Sequence, residues 1–108
     1  MNDKELADKV VALGVGSADI TVAFLGKYHA PDTYASPISA DNFVRDCRVA
    51  GALMEKVDSV YVEALLSPGN APDKWQVQAS MDAMPTEWVV NESLPRAIIE
   101  ACCEALYD

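Results

Sequence analysis

Residues 59–66 read Ser59-Val60-Tyr61-Val62-Glu63-Ala64-Leu65-Leu66, and residues 74–81 read Lys74-Trp75-Gln76-Val77-Gln78-Ala79-Ser80-Met81. In the second stretch every odd position is apolar and every even one polar, the period-two signature of a half-buried strand. In the first, Val60, Val62, Ala64 and Leu66 alternate with Ser59, Tyr61, Glu63 and Leu65, so its second face is only partly polar. The connection Ser67-Pro68-Gly69-Asn70-Ala71-Pro72-Asp73 is dense in turn formers. The expected centre of the fold is therefore an antiparallel hairpin, 59–66 against 74–81. The polar row Lys74, Gln76, Gln78 and Ser80 is unsuited to burial between two layers. Either this strand lies at an edge, or helices cover one side of the sheet.

Helical patterns flank the hairpin. Upstream, Ser39 is a predicted N-cap with Asp41 in the first turn. Phe43, Cys47, Ala50, Met54 and Val57 follow at steps of three and four, predicting a helix over about 40–57. Gly51 within it is costly, and close approach of a neighbouring element is its expected return. At the start of the chain, Asn2 and Glu5 have capping-box spacing. Leu6, Val10 and Leu13 then form one face of a helix over about 3–13, closed by Gly14 and Gly16. Downstream, Ser93 and Pro95 open a helix over about 94–107. Its expected buried stripe is Ile98, Ile99, Cys102, Cys103 and Leu106, with Ala97, Ala101 and Ala105 beside it. Glu100, Glu104 and Asp108 form a carboxylate row on the predicted wet side. Residues 20–25 are a short apolar run expected to be extended, 26–37 a loop, and 88–90 a short extended piece or a packed loop. The expected class is α+β, an antiparallel sheet in two layers with three helices, and a single domain spans 1–108.

The chain of 108 residues is 51% hydrophobic and 23% charged, which suits a folded domain rather than a disordered one. No apolar run reaches the ~18 residues a membrane span needs. Met1-Asn2-Asp3-Lys4-Glu5 lacks the pattern of a secretory signal, so a cytoplasmic location is expected. Eight basic residues stand against seventeen acidic ones, a net charge of −9. The basic residues are scattered, which argues against direct nucleic-acid binding. Acidity of this size serves solubility, or docking on a basic partner surface.

The candidates for chemistry are few. Gly14-Val15-Gly16 begins like a dinucleotide fingerprint, but it follows a helix and has Asp19 where a third glycine belongs. Cys47, Cys102 and Cys103 fall on predicted apolar faces, and an odd count suits reduced thiols. One histidine, His29, does not make a metal cluster, and no cofactor is expected. Two contact surfaces are candidates for protein binding. One is the acidic row Glu100, Glu104 and Asp108. The other is the amphipathic loop carrying Lys27, Tyr28, His29 and Tyr34, since tyrosine and histidine suit contact patches. Each has an ordinary alternative, a solvated helix face and a plain surface loop.

Residues 38–57 (Ile-Ser-Ala-Asp-Asn-Phe-Val-Arg-Asp-Cys-Arg-Val-Ala-Gly-Ala-Leu-Met-Glu-Lys-Val) resemble the central helix of small phage and prophage proteins known as the phage ABA sandwich domain. Glu92-Ser93-Leu94-Pro95-Arg96-Ala97-Ile98-Ile99-Glu100-Ala101 is similar to that family's closing helix. The resemblance covers most of the chain outside residues 15–37. Where the family often has tryptophan, Cys47 stands here, and Trp75 or Trp88 is the expected replacement anchor. The resemblance implies a phage-encoded accessory protein of unassigned activity and brings no catalytic residues. Together with the charge, it leads to the expectation of a non-enzymatic protein in the bacterial host cytoplasm that binds a host protein. One version is an anti-CRISPR-like inhibitor of host defence, docking where nucleic acid is normally held. Two alternatives stay open: an assembly homodimer using an exposed strand edge, and an enzyme using a cysteine with His29.

Overall fold

The computed structural model describes residues 1–16, 27–31, 37–66 and 72–107. Helix α1 (Asp3–Ala12) is followed by the two-residue strands β1 (Lys27–Tyr28) and β2 (Ile38–Ser39). Helices α2 (Ala40–Phe43) and α3 (Cys47–Met54) lead into β3 (Ser59–Leu66) and β4 (Pro72–Met81). Strands β5 (Met84–Pro85) and β6 (Val89–Asn91) precede α4 (Leu94–Tyr107). The class is α+β, with an antiparallel sheet of four strands and a separate β1–β2 ladder. Residues 20–25 lie outside the described residues.

The alternating stretches pair as expected. Val60 faces Ala79, Val62 faces Val77 and Ala64 faces Trp75, with a register shift at Leu65/Leu66. Strand β4 begins at Pro72, two residues earlier than its alternation indicates. On its other side β4 pairs with both β5 and β6, which are two pieces of one interrupted strand. Thr86 fills the interruption: its Oγ1 accepts from the Ala79 amide at 3.2 Å, and its amide donates to the Ala79 carbonyl at 2.8 Å. The β4–β5 turn is Asp82-Ala83, both at positive φ (52° and 63°), as a two-residue primed turn requires. The Asp82 amide donates to Asp58 Oδ2 at 2.7 Å.

Helix α4 lies across the inner face of β4, where Val77, Ala79 and the neighbouring Val89 are buried. Its buried residues combine Ile98 and Ile99 with the small Ala97, Ala101, Cys102, Cys103 and Ala105, which permit close packing. Helices α1 and α3 both pack on α4. The sheet is thus covered on one side, and the polar row of β4 faces outward. The largest fully buried side chains are Tyr28 and Phe43, whose rings stack with centroids 5.0 Å apart. They are the aromatic anchors of the core, whereas Trp75 is half-buried and Trp88 exposed.

One predicted helix is two. The 40–57 pattern breaks after Phe43, and Asp46 caps a new helix by accepting from the Arg48 amide at 2.7 Å. The break changes the phase of the buried stripe. Phe43, Val44, Val49, Ala50 and Leu53 are buried, while Cys47 and Met54 are exposed. Gly51 is also exposed, and a Cβ there would meet nothing within 4 Å. Close approach is not its reason.

The termini of the other helices match their capping signals. Asn2 Oδ1 accepts from the Glu5 amide at 2.8 Å, and its Nδ2 donates back to Glu5 Oε1 at 2.8 Å. Gly14 (φ 83°) closes α1 in a Schellman arrangement: the Val15 amide reaches the Val10 carbonyl and the Gly14 amide the Val11 carbonyl. Gly16 (φ 69°) sits where a Cβ would come within 2.7 Å of both the His29 carbonyl oxygen and the Phe43 ring. Ser93 Oγ accepts from the Arg96 amide at 3.3 Å, capping α4.

Arg96 is buried and ties the chain ends together. Its Nε lies 3.0 Å from Asp3 Oδ1, and its Nη2 donates to the Met1 carbonyl at 3.0 Å. Nη1 is 3.3 Å from Glu100 Oε2, an ion pair without hydrogen-bond alignment. Asp3 Oδ2 takes Arg45 Nη1 at 2.7 Å. Burial pushes the Asp3 carboxyl up, but the Arg45 and Arg96 guanidiniums outweigh it and hold the group below its ordinary value.

Two sets of outcomes follow from this packing. Gly16→Ala should destabilise by about 2 kcal/mol or more, against about 1 kcal/mol for Gly14→Ala, because only Gly16 adds a clash to the unfavourable φ. Gly51→Ala should stabilise by about 0.5–1 kcal/mol, since the site is helical and open. Urea midpoints of the three variants test this order. Asp3→Asn should cost about 1–3 kcal/mol at neutral pH by leaving Arg96 short of its counter-charge. A depressed carboxyl contributes fully above its unfolded value of about 3.9 and loses that contribution as pH falls through the folded value. The stability gap between Asp3→Asn and the parent should therefore close below about pH 4, as read by urea titrations across pH.

Candidate functional site

The residues singled out from the sequence do not assemble into one surface. Tyr28 is fully buried, so it is a core residue rather than a contact residue. Its hydroxyl donates to Asp8 Oδ1 at 2.7 Å and receives Lys4 Nζ at 3.5 Å. Burial, then the Asp8 carboxylate, pushes this phenol above its ordinary value. Lys27 forms the β1–β2 ladder opposite Ser39, and His29 is half-buried. Tyr34 and Asp108 lie outside the described residues. Glu100 is half-buried against Arg96 rather than solvated, and Glu104 is half-buried too. Glu100 is thereby committed to the interior charge network.

The thiols separate into two kinds. Cys102 and Cys103 are buried in α4, and burial pushes both up to about 12, so they are protonated at neutral pH and poor nucleophiles. Cys47 opens α3 and is exposed. Among the described residues no group of three or more His, Cys, Asp and Glu could hold a metal ion. Surface hollows among the described residues include the following two. One, of about 340 Å³, lies between the β4–β5 turn and the end of α4, lined by Met81, Met84, Pro85 and Leu106. The other, of about 330 Å³, is polar and brings Arg45 and Lys74 beside Asn91 and Glu92.

The more extensive feature is the outer face of the sheet. The registers place Tyr61 beside Gln78, and Glu63, Gln76 and Val90 in one row across β3, β4 and β6. Val89 turns inward and is buried, so Val90 next to it on β6 turns outward, and Trp88, immediately before the strand, is exposed. Tyr61 is 62% exposed, Trp88 44% and Val90 49%. Between them the two glutamines are held in place. Gln78 Nε2 donates to the Thr86 carbonyl at 2.8 Å, and Gln76 Nε2 donates to the Glu63 carboxylate. Aromatic anchors around ordered polar groups are the composition of a protein-binding patch. Exposed acids stand on and around the sheet, with Glu63 on the face and Asp58 and Asp82 at the turn end. The sequence signal for this face was the incomplete polarity of the second face of 59–66. Trp88 carried no such signal, because the strand beside it is too short to show a period.

Compared with family models, curated proteins and solved structures, the chain matches none.

The burial of the α4 thiols sets a clear expectation. A thiol reagent such as dithiobis-nitrobenzoate should titrate Cys47 rapidly in native protein, and Cys102 and Cys103 only after denaturation. Rapid native labelling of Cys102 or Cys103, read by peptide mass spectrometry, would contradict the packing described for α4.

Proposed function

We propose that this domain is a non-enzymatic accessory protein that acts by binding another protein through the outer face of its sheet. The observation that supports this is the uncovered face itself: Tyr61, Trp88 and Val90 are left in solvent around fixed glutamines. Leaving a tyrosine and a tryptophan exposed on an otherwise acidic molecule forgoes burial each could have had, which is reasonable where a partner supplies it. The net charge of −9 and the presence of Glu63 on the face favour a basic partner. A surface that ordinarily holds nucleic acid meets that description. The likeness of residues 38–57 and 92–101 to phage ABA sandwich helices adds the phage setting, and an anti-CRISPR-like inhibitor of host defence in the bacterial cytoplasm is the concrete version. The buried, protonated thiols of Cys102 and Cys103 weigh against the cysteine-enzyme alternative.

The test is affinity capture from a bacterial host lysate, with bound proteins identified by mass spectrometry and released by a salt gradient. A basic nucleic-acid-handling protein should be retained at low salt and released as salt rises. Trp88→Ala should weaken its retention by about tenfold or more without lowering the thermal midpoint, as an exposed interface anchor would. Capture that is absent, insensitive to salt or indifferent to Trp88→Ala would refute the reading.

A further inference from the structure

Among the described residues strand β3 is an edge: its one strand partner there is β4, and of its inner-face residues Val60 packs against the core cluster. Exposure along it is high on both sides: Tyr61 on the outer face, and Val62 on the inner face at 43%. Along this apolar inner row Val60 packs against the core and Ala64 is half-buried, while Val62 between them is left exposed at the edge. Natural edges of this length are usually blunted by a proline, a lysine or a bulge. From Ser59 to Ala64 there is none of these, and Glu63 is the one charge in the strand.

From this edge we infer that the protein forms a symmetric homodimer in which β3 of two copies pair antiparallel, joining the two sheets into one. The register follows from the residues. Only every second residue of an edge strand turns its N–H and C=O outward, so residue numbers opposite one another must sum to an even value. That condition also keeps the helices of both copies on the same side. Two such registers use nearly the full strand. One places Glu63 opposite Glu63, two carboxylates in direct cross-strand contact, which is unfavourable. The other places Val62 on the twofold axis. It sets Val60 opposite Ala64 and Val62 opposite Val62, so the exposed Val62 side chains of the two copies cover each other. On the outer face it sets Tyr61 of one copy opposite Glu63 of the other, a hydroxyl donor beside a carboxylate acceptor. The second register is the one the strand is built for, and it is isologous as a twofold interface demands. Two copies at −9 repel through solvent, so this association tightens as salt screens them. A basic partner on the outer face behaves in the opposite sense, which separates this inference from the preceding one.

The experiment is disulfide trapping in the full chain. The exposed Cys47 is first removed as Cys47→Ala, and single cysteines are then placed as Val62→Cys, Tyr61→Cys and Glu63→Cys. Directly opposed positions in an antiparallel pair approach within disulfide reach, so Val62→Cys should cross-link under mild oxidation faster than the other two by about tenfold or more. Light scattering of the unmodified protein should give twice the 11.7 kDa chain mass, with the dimer fraction rising with salt. Val62→Lys should return the single-chain mass with an unchanged far-ultraviolet circular dichroism spectrum. A single-chain mass for the unmodified protein at every soluble concentration overturns the inference. So does a dimer whose trapping shows no preference for Val62, or one that Val62→Lys leaves intact while folded.

Discussion

The guanidinium of Arg96 sits inside an acidic domain, and the opposite end of the chain satisfies it. Asp3 reaches it across a sequence separation of 93 residues, and the Met1 carbonyl across 95. A buried guanidinium stripped of these partners would be strongly destabilising. The apolar stripe of α1 fixes which side of that helix is buried, but an apolar stripe tolerates sliding and rotation. The Asp3–Arg96 contact does not, because its donors and acceptors have fixed directions. Arg45 extends the network from the start of the α2–α3 break to the same carboxylate. Two elements distant in sequence thus converge on Asp3 of α1. Tyr28 repeats the device on a smaller scale, bringing β1 to α1 through Asp8 while its ring fills the core against Phe43.

With α1 and α3 fixed on α4, the character of α4 decides what is left for function. Its buried residues include a row of alanines and two cysteines beside Ile98 and Ile99, and its principal sheet contacts are with β4 and β6. A single close-packed helix of this width covers the centre of the sheet. On the inner row of β3 Val62 is left exposed, and among the described residues no second layer covers the outer face. Both surfaces used in the functional argument are therefore consequences of one economical packing choice.

Much of this architecture was legible in the sequence because its signals are local. Strict alternation over 74–81, the Asn2–Glu5 reciprocal cap, the Ser93 cap and the glycine at the end of α1 each depend on residues within a few positions of one another. The departures have two causes: a local signal that spacing masks, and partners distant in sequence. The stripe from Phe43 to Val57 satisfies helical spacing, and spacing alone cannot show that Asp46 restarts the helix by capping it. Tyr28 has the composition of a contact residue, and only the arrival of α1 and Phe43 converts it to a core one. Arg96 was legible as part of a closing-helix pattern, not as a buried charge, since its partner lies at the other terminus. The outer face was half legible: Tyr61 and Leu65 interrupted the polarity expected of a wet row, while Trp88 stands beside a three-residue strand too short for any period.

Glu63 links the two exposed features of β3 through the same carboxylate. On the outer face it accepts from Gln76 and is oriented by it, contributing acid to a patch otherwise made of aromatic and amide groups. Along the edge it forbids the one full-length register in which it would meet itself. An eight-residue edge with apolar groups on both faces invites indiscriminate pairing, and net charge alone would oppose all pairing equally. A charge placed off the strand's midpoint acts more selectively. It leaves a single symmetric register free of repulsion and orients the sheet face that results, so that the two outer faces would continue one another across the twofold axis.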